Sequence, residues 1–262
     1  MRIIKSVFVF PCGVLLIIAL GGCRTTERLS MIDREGWPRV LEAPYAENGV
    51  VVDGILEEWK AALPVFYVDD VADPQRNSAR TWAMWDEKYF YVAFSVSDEF
   101  LRATHTGHDN AFPDDGVEVL IDTRCTRSDD WRTDDYRWHI NILDAIMDDR
   151  GTFEGEVDKS WNGNAFSKTT ISGTINDEVP DEGYITEIAI PWKDIGLSGI
   201  GEGTELAVDF CVNDFDEDPE EYLYFDWCNL ELFHKPSGFG LVRLVRGTEI
   251  PAKKPRSQRL IW

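Results

Sequence analysis

The stretch from Arg80 to Asp122 constrains this chain more than any other. It reads RTWAMWDEKYFYVAFSVSDEF, then a polar bridge, then DNAFPDDGVEVLID. Its apolar residues alternate at a period of two on either side of a Trp-Asp-Glu turn. That period belongs to half-buried strands, which place one face in a core and leave the other free. A helix cannot satisfy the pattern, because its apolar residues must recur every three to four positions. The face left free carries aromatic rings and carboxylates, groups suited to a polar, ring-shaped ligand.

Further strand candidates follow at the same spacing. They are Tyr136–Ile142, Ala145–Asp149, Lys168–Ile175, Gly183–Pro191, Glu205–Asp214, Glu221–Trp227 and Gly240–Val245, with an earlier one at Val50–Val52. Gly, Asp, Asn or Pro separates many of them, and long amphipathic helices are absent. The fold class expected is all-β: a single antiparallel β-sandwich of jelly-roll or immunoglobulin-like type.

The N-terminus reads differently. Arg2 and Lys5 precede an apolar run from Val7 to Leu20, and Gly21-Gly22-Cys23 closes it. The run is short for a membrane span, which needs about 20 residues. It resembles a bacterial lipoprotein signal, with residues 1–22 removed and Cys23 lipidated. Residues 23–45 then form a tether, 46–246 the sandwich, and 247–262 a basic tail containing Lys253, Lys254, Arg256 and Arg259. The expected location is exported and lipid-anchored to an inner or outer bacterial membrane, on its periplasmic side or at the cell surface.

The formal charge is −22, and losing Arg2 and Lys5 makes it two units more negative. So acidic a surface repels nucleic acid and tolerates neutral sugars and cations. Of five cysteines, Cys12 lies in the leader and Cys23 is taken by the lipid, which leaves Cys125, Cys211 and Cys228. A Cys211–Cys228 bridge between consecutive strands is one option in an oxidising compartment.

Five segments in order resemble carbohydrate-binding module family 9, a β-sandwich related to DOMON-like domains. They are Val52–Trp59 (VDGILEEW), Met84–Ala93 (MWDEKYFYVA), Asp114–Asp122 (DDGVEVLID), Gly183–Trp192 (GYITEIAIPW) and Phe239-Gly240. The resemblance implies non-catalytic binding of oligosaccharide or polysaccharide ends, in concert with glycoside hydrolases. It further implies two aromatic side chains that clamp a terminal sugar, at Phe112 and Phe233, where tryptophan is common in the family. Glu118 and Asn141 fit the family's polar set, while His139 stands where the family has an arginine. Structural calcium also occurs in the family.

Strand parity yields a site on its own terms. If Val117, Val119 and Ile121 face the core, then Glu118, Leu120 and Asp122 face away. Burying Trp138 and Ile140 likewise exposes Arg137, His139 and Asn141, and burying Val208, Phe210 and Val212 exposes Asp209, Cys211 and Asn213. Sugar hydroxyls both donate and accept, so carboxylate, imidazole, guanidinium and amide can each hold one. The sugar-binding set is therefore Phe112, Glu118, Arg137, His139, Asn141 and Phe233, and Trp131 and Trp161 could extend the surface. For a cation, Asp122, Asp129 and Asp130 lie in an acidic loop with Asp134 and Asp135, and a second acidic run spans Asp214 to Glu221. The rival readings are a haem-binding DOMON-like redox domain with Met84 as ligand and a glycosidase with paired carboxylates.

Overall fold

A computed structural model describes residues 38–69, 76–107, 111–215, 222–230 and 234–247. The leader, Cys23, most of the tether and nearly all of the basic tail lie outside these residues. In chain order the strands begin with β1 (Val40–Pro44), β2 (Val65–Val68), β3 (Asn77–Trp85), β4 (Tyr89–Asp98) and β5 (Gly116–Asp122). Then come β6 (Asp135–Asn141), β7 (Ile146–Gly151), β8 (Val157–Asp158) and β9 (Phe166–Ser172). The last are β10 (Gly183–Pro191), β11 (Glu205–Asp214), β12 (Leu223–Asp226) and β13 (Gly240–Val245).

They form two facing sheets. The larger runs β1-β13-β11-β5-β6-β7-β8, and β12 also pairs with β11. The smaller runs β2-β3-β4-β10-β9. One edge of β11 lies along β5; its other edge is shared, β13 pairing Glu205–Val208 and β12 pairing Cys211–Asp214. All these ladders are antiparallel except β1 with β13, which is parallel. Val40–Pro44 is thus a ladder strand inside the segment expected as tether.

The inner faces follow the alternation. Val117, Val119 and Ile121 on β5, Trp138 and Ile140 on β6, and Val208, Phe210 and Val212 on β11 are buried. Phe94 of the smaller sheet meets Phe210 of the larger edge-on, with ring centres 6.0 Å apart. Each such fully buried side chain stabilises the fold by roughly 1.5–3 kcal/mol relative to exposure.

The outer face of the smaller sheet is covered too. Trp59 packs there with Met84, Tyr91, Ala93 and Ala189, and Val50, Val52 and Leu56 close over them. Glu187, wholly buried on β10, accepts hydrogen bonds from the backbone N–H of Asp53 (2.8 Å), that of Gly54 (2.6 Å) and the Trp59 indole (2.5 Å). Gly54 has φ +79°, and a Cβ there would lie 2.3 Å from Thr170 Oγ1, so only glycine fits. Val50–Val52 is accordingly not a strand: Val50 and Val52 pack on a sheet face instead of joining a ladder, and Val51 faces water. Met84 belongs to this packed layer, which accounts for it without haem.

The cysteines are also corrected. Cys125, Cys211 and Cys228 are all free thiols. Cys228 packs in the core between the sheets, whereas Cys211 lies in a separate cluster with Leu120, Trp131 and Phe239. The two sulfurs therefore belong to different layers and do not pair.

Candidate functional site

The outer face of the larger sheet carries the polar side chains. Register places Glu118 opposite His139 on β6 and opposite Cys211 on β11. Arg137 is opposite Asp149 on β7. Parity thus brings Glu118, Arg137 and His139 together.

Glu118 is the hub. Its Oε1 accepts a hydrogen bond from Asn213 Nδ2 at 2.9 Å and lies 3.5 Å from His139 Nδ1. Its Oε2 lies 3.4 Å from His234 Nε2 and 3.8 Å from Arg137 Nη1. Arg137 donates through Nη1 to His234 Nε2 at 3.0 Å and through Nη2 to Asp149. A guanidinium can only donate, so the imidazole nitrogen accepts in that contact. Burial pushes the Glu118 carboxyl up, but Arg137, His234 and His139 outweigh it and hold the group well below the usual carboxylate range. Burial lowers His139, with Glu118 opposing, so its imidazole favours the neutral form.

Three polar atoms here are buried without a hydrogen-bond partner in the protein: Arg137 Nε, His139 Nε2 and Asp149 Oδ1. Buried polar groups in folded proteins are nearly always bonded; similar unpartnered atoms occur elsewhere among the described residues, at Trp138 Nε1 and Glu58 Oε2 for example, so these three show where further hydrogen bonds would be accommodated.

Aromatic rings border this face. Phe112 is 47% exposed, and its ring stands edge-on to His139 (6.3 Å), Phe215 (6.4 Å) and Tyr222 (5.5 Å). The Tyr222 hydroxyl donates to Asn213 Oδ1, and Tyr222 stacks obliquely toward Tyr224 at 6.1 Å. Phe233 lies outside the described residues, but its neighbour His234 reaches the site. The Trp131 indole N–H donates to the His234 carbonyl at 2.6 Å, so Trp131 is a buried prop for His234 rather than an added surface. Trp161 is turned toward Tyr136 and Trp138, at 5.2 and 5.8 Å, and packs against the core.

Asn141 is placed differently from the expectation. It is fully buried, and its Nδ2 donates to the His105 carbonyl (2.9 Å) and to Asp114 Oδ2 (2.7 Å). Its Oδ1 accepts the backbone N–H groups of Leu143 (3.0 Å) and Ala145 (2.8 Å). All four hydrogen-bonding positions of the amide are thereby used within the protein. Asn141 shapes the β6–β7 turn and fixes the segment that leads into β5.

The acidic loop does not gather as a cation site. Asp122 accepts the N–H groups of Arg124 and Arg127, Asp129 accepts from Ser237 Oγ, and Asp130 sits 4.0 Å from Arg132. Among the described residues, the carboxylates that converge are Asp98, Asp115 and Asp214, all buried and with ligand atoms within 4.8 Å of one another. Burial, Asp98 and Asp214 together raise Asp115 well above the ordinary range. An all-oxygen set of this kind is the donor type a calcium ion takes.

Sequence reasoning missed His234, Asn213 as a partner of Glu118, and Tyr222. Tyr222 could have been found from Tyr222-Leu223-Tyr224, where alternation puts two rings on one side. His234 carried no local signal.

Against this geometry, the family model described as carbohydrate family 9 binding domain-like matches residues 48–247. The chain belongs to that family. Family 9 domains are binding modules, not catalytic ones. A family 9 module from Caldicellulosiruptor kristjanssonii, solved with cellotriose, is 20% identical with a TM-score of 0.60, covering 82% of this chain and 98% of that one. The same organism's module with glucose gives a TM-score of 0.58 at 20% identity, covering 80% and 98%. Exoglucanase XynX of Acetivibrio thermocellus is 30% identical over 198 residues, which are 74% of this chain but only 16% of that enzyme. The match therefore spans a small part of the long enzyme.

Proposed function

We propose that the domain binds the end of a neutral oligosaccharide on the outer face of its larger sheet, and leaves it chemically unchanged. The observation that carries this is the Glu118–Arg137–His139–His234 cluster, with unpartnered buried polar atoms and the half-exposed Phe112 ring edge-on to His139. The Glu118 carboxylate accepts from sugar hydroxyls, the Arg137 guanidinium donates to them, and His139 Nε2 takes one more. Phe112 offers its ring to a sugar's C–H face. Two carboxylates, Glu118 and Asp149, stand against one guanidinium, which disfavours an anionic sugar. Asn141 serves as a positioning residue.

The sugars held by the similar modules, glucose and cellotriose, are the first probes to use. Titration calorimetry with glucose, xylose and their trisaccharides is expected to show binding without release of new sugar ends. If no saccharide produces heat, sugar recognition on this face is wrong. Lipidation at Cys23 would hold the domain at a bacterial membrane, where glycoside hydrolases supply or consume the ligand. Cys23→Ala is expected to move the protein out of the membrane fraction, and unchanged fractionation would remove the anchor.

A further inference from the structure

Beside the sugar face lies a hollow of about 580 Å³, a size within the range of small-ligand sites. Arg102, Thr104, Pro113, Asp114 and Phe215 are among the residues that line it. Pro113 and Phe215 stand between the hollow and the sugar face. Pro113 follows Phe112 directly, and the Phe215 ring stands 6.4 Å from that of Phe112, whose ring is itself 6.3 Å from His139. Asp114 lines the hollow while accepting from Asn141 and from the backbone of Thr104 and His105. A ligand that lies across the exposed Phe112 ring therefore comes up to this hollow.

The Arg102 side chain is held in place. Arg102 donates through Nη1 to the Asp177 carbonyl and through Nη2 to Glu178 Oε1 at 3.0 Å, and its guanidinium carbon lies 5.8 Å from the Phe100 ring centre. The Arg102 side chain is 14% exposed, whereas that of Glu178 is 73% exposed. An ion pair to so exposed a carboxylate contributes little to stability. The pair instead fixes a guanidinium at a lined hollow. An apolar ring beside charged and hydroxyl partners repeats the combination found on the sugar face, and Asp114 with Glu178 outweighs Arg102, which disfavours an anionic unit.

We propose that this hollow is a second subsite, which takes the following units of an oligosaccharide whose end occupies the Glu118–His139 face. The proposal rests on the reading of that face as the sugar site. It predicts that affinity grows with chain length, and that the growth depends on Arg102 while binding of a single sugar does not.

Calorimetry on the full chain would compare glucose with cellotriose and xylose with xylotriose. In the unaltered protein the trisaccharide of the series that binds should be about tenfold tighter than its monosaccharide, the worth of roughly one charge-assisted hydrogen bond. Arg102→Ala should bring that ratio close to one and leave monosaccharide affinity within about twofold, and Thr104→Val should reduce the ratio by roughly threefold. Thr104→Val keeps the test open should Arg102→Ala fail to fold. The subsite is overturned by a ratio near one in the unaltered protein, or by a ratio that neither variant changes, with the sugar face then standing. Loss of all saccharide binding in the unaltered protein overturns the sugar face and the subsite together.

Discussion

Glu187 and Glu118 occupy comparable places on opposite outer faces of the sandwich, and their surroundings differ in kind. Glu187 accepts three N–H groups from the segment that covers its sheet, beside a layer of Trp59, Met84 and Tyr91. Glu118 lies among a guanidinium, two imidazoles and an amide, and atoms of Arg137 and His139 stay unpartnered nearby. One carboxylate is capped by the backbone of a covering segment; the other is as deeply buried but sits among side chains, with the His234 and Phe112 rings beside it reaching water. Complete hydrogen bonding marks structure, and incomplete bonding marks readiness for a ligand.

The largest effect should come from breaking the closed face. Trp59→Ala removes a fully buried ring and leaves Glu187 without one of its donors, at a cost of about 3–5 kcal/mol in unfolding free energy by chemical denaturation. Saccharide affinity at 25 °C should stay within about twofold of the unaltered protein wherever the variant remains folded, a factor worth under half a kcal/mol. A comparable loss of both would mean that the two faces are coupled.

Glu118→Gln should do the reverse. It is expected to weaken saccharide binding about thirtyfold, near 2 kcal/mol, with a smaller change in unfolding midpoint than Trp59→Ala. Affinity unchanged by calorimetry would move the binding face elsewhere.

A pH experiment sharpens the comparison. Burial raises Asp135, at the far end of the same outer face, from 3.8 to about 7. The folded form therefore holds a proton that the unfolded chain releases. Its stabilising contribution is present below pH 3.8 and is lost as pH rises through about 7. Between these values stability from this group should fall by up to about 1.4 kcal/mol per pH unit. Asp135→Asn should flatten that decline in urea midpoints measured across the interval, and an identical slope in both proteins would exclude the residue as its source.

The smallest effect is expected from Phe112→Ala, about fivefold in saccharide affinity or 1 kcal/mol, with no change in unfolding midpoint because the ring is already half in water.

Much of this was legible in the chain. A period of two fixes which side of a strand is buried, so Val117, Val119 and Ile121 assigned Glu118 to the outer face without further information. Trp138 did the same for Arg137 and His139. What period two cannot report is how a face is roofed. His234 reaches Glu118 across 116 positions, and no local pattern encodes such a meeting. The same gap explains Asn141: parity gave its face, but only the placement of His105 and Asp114 shows that its amide is fully engaged. β2 is four residues long, too short for alternation to declare itself, and Val50–Val52 carries the apolar signature of a strand while serving as a lid.

Because β12 and β13 divide one edge of β11 between them, the chain leaves the larger sheet after Asp226 and rejoins it at Gly240 with both ladders already anchored. The residues in between deliver His234 to the polar face. Specificity can thus be rewritten by exchange close to His234, while Trp227, Cys228 and Phe239 at the two ends of the interval stay seated in the sandwich whatever the guest.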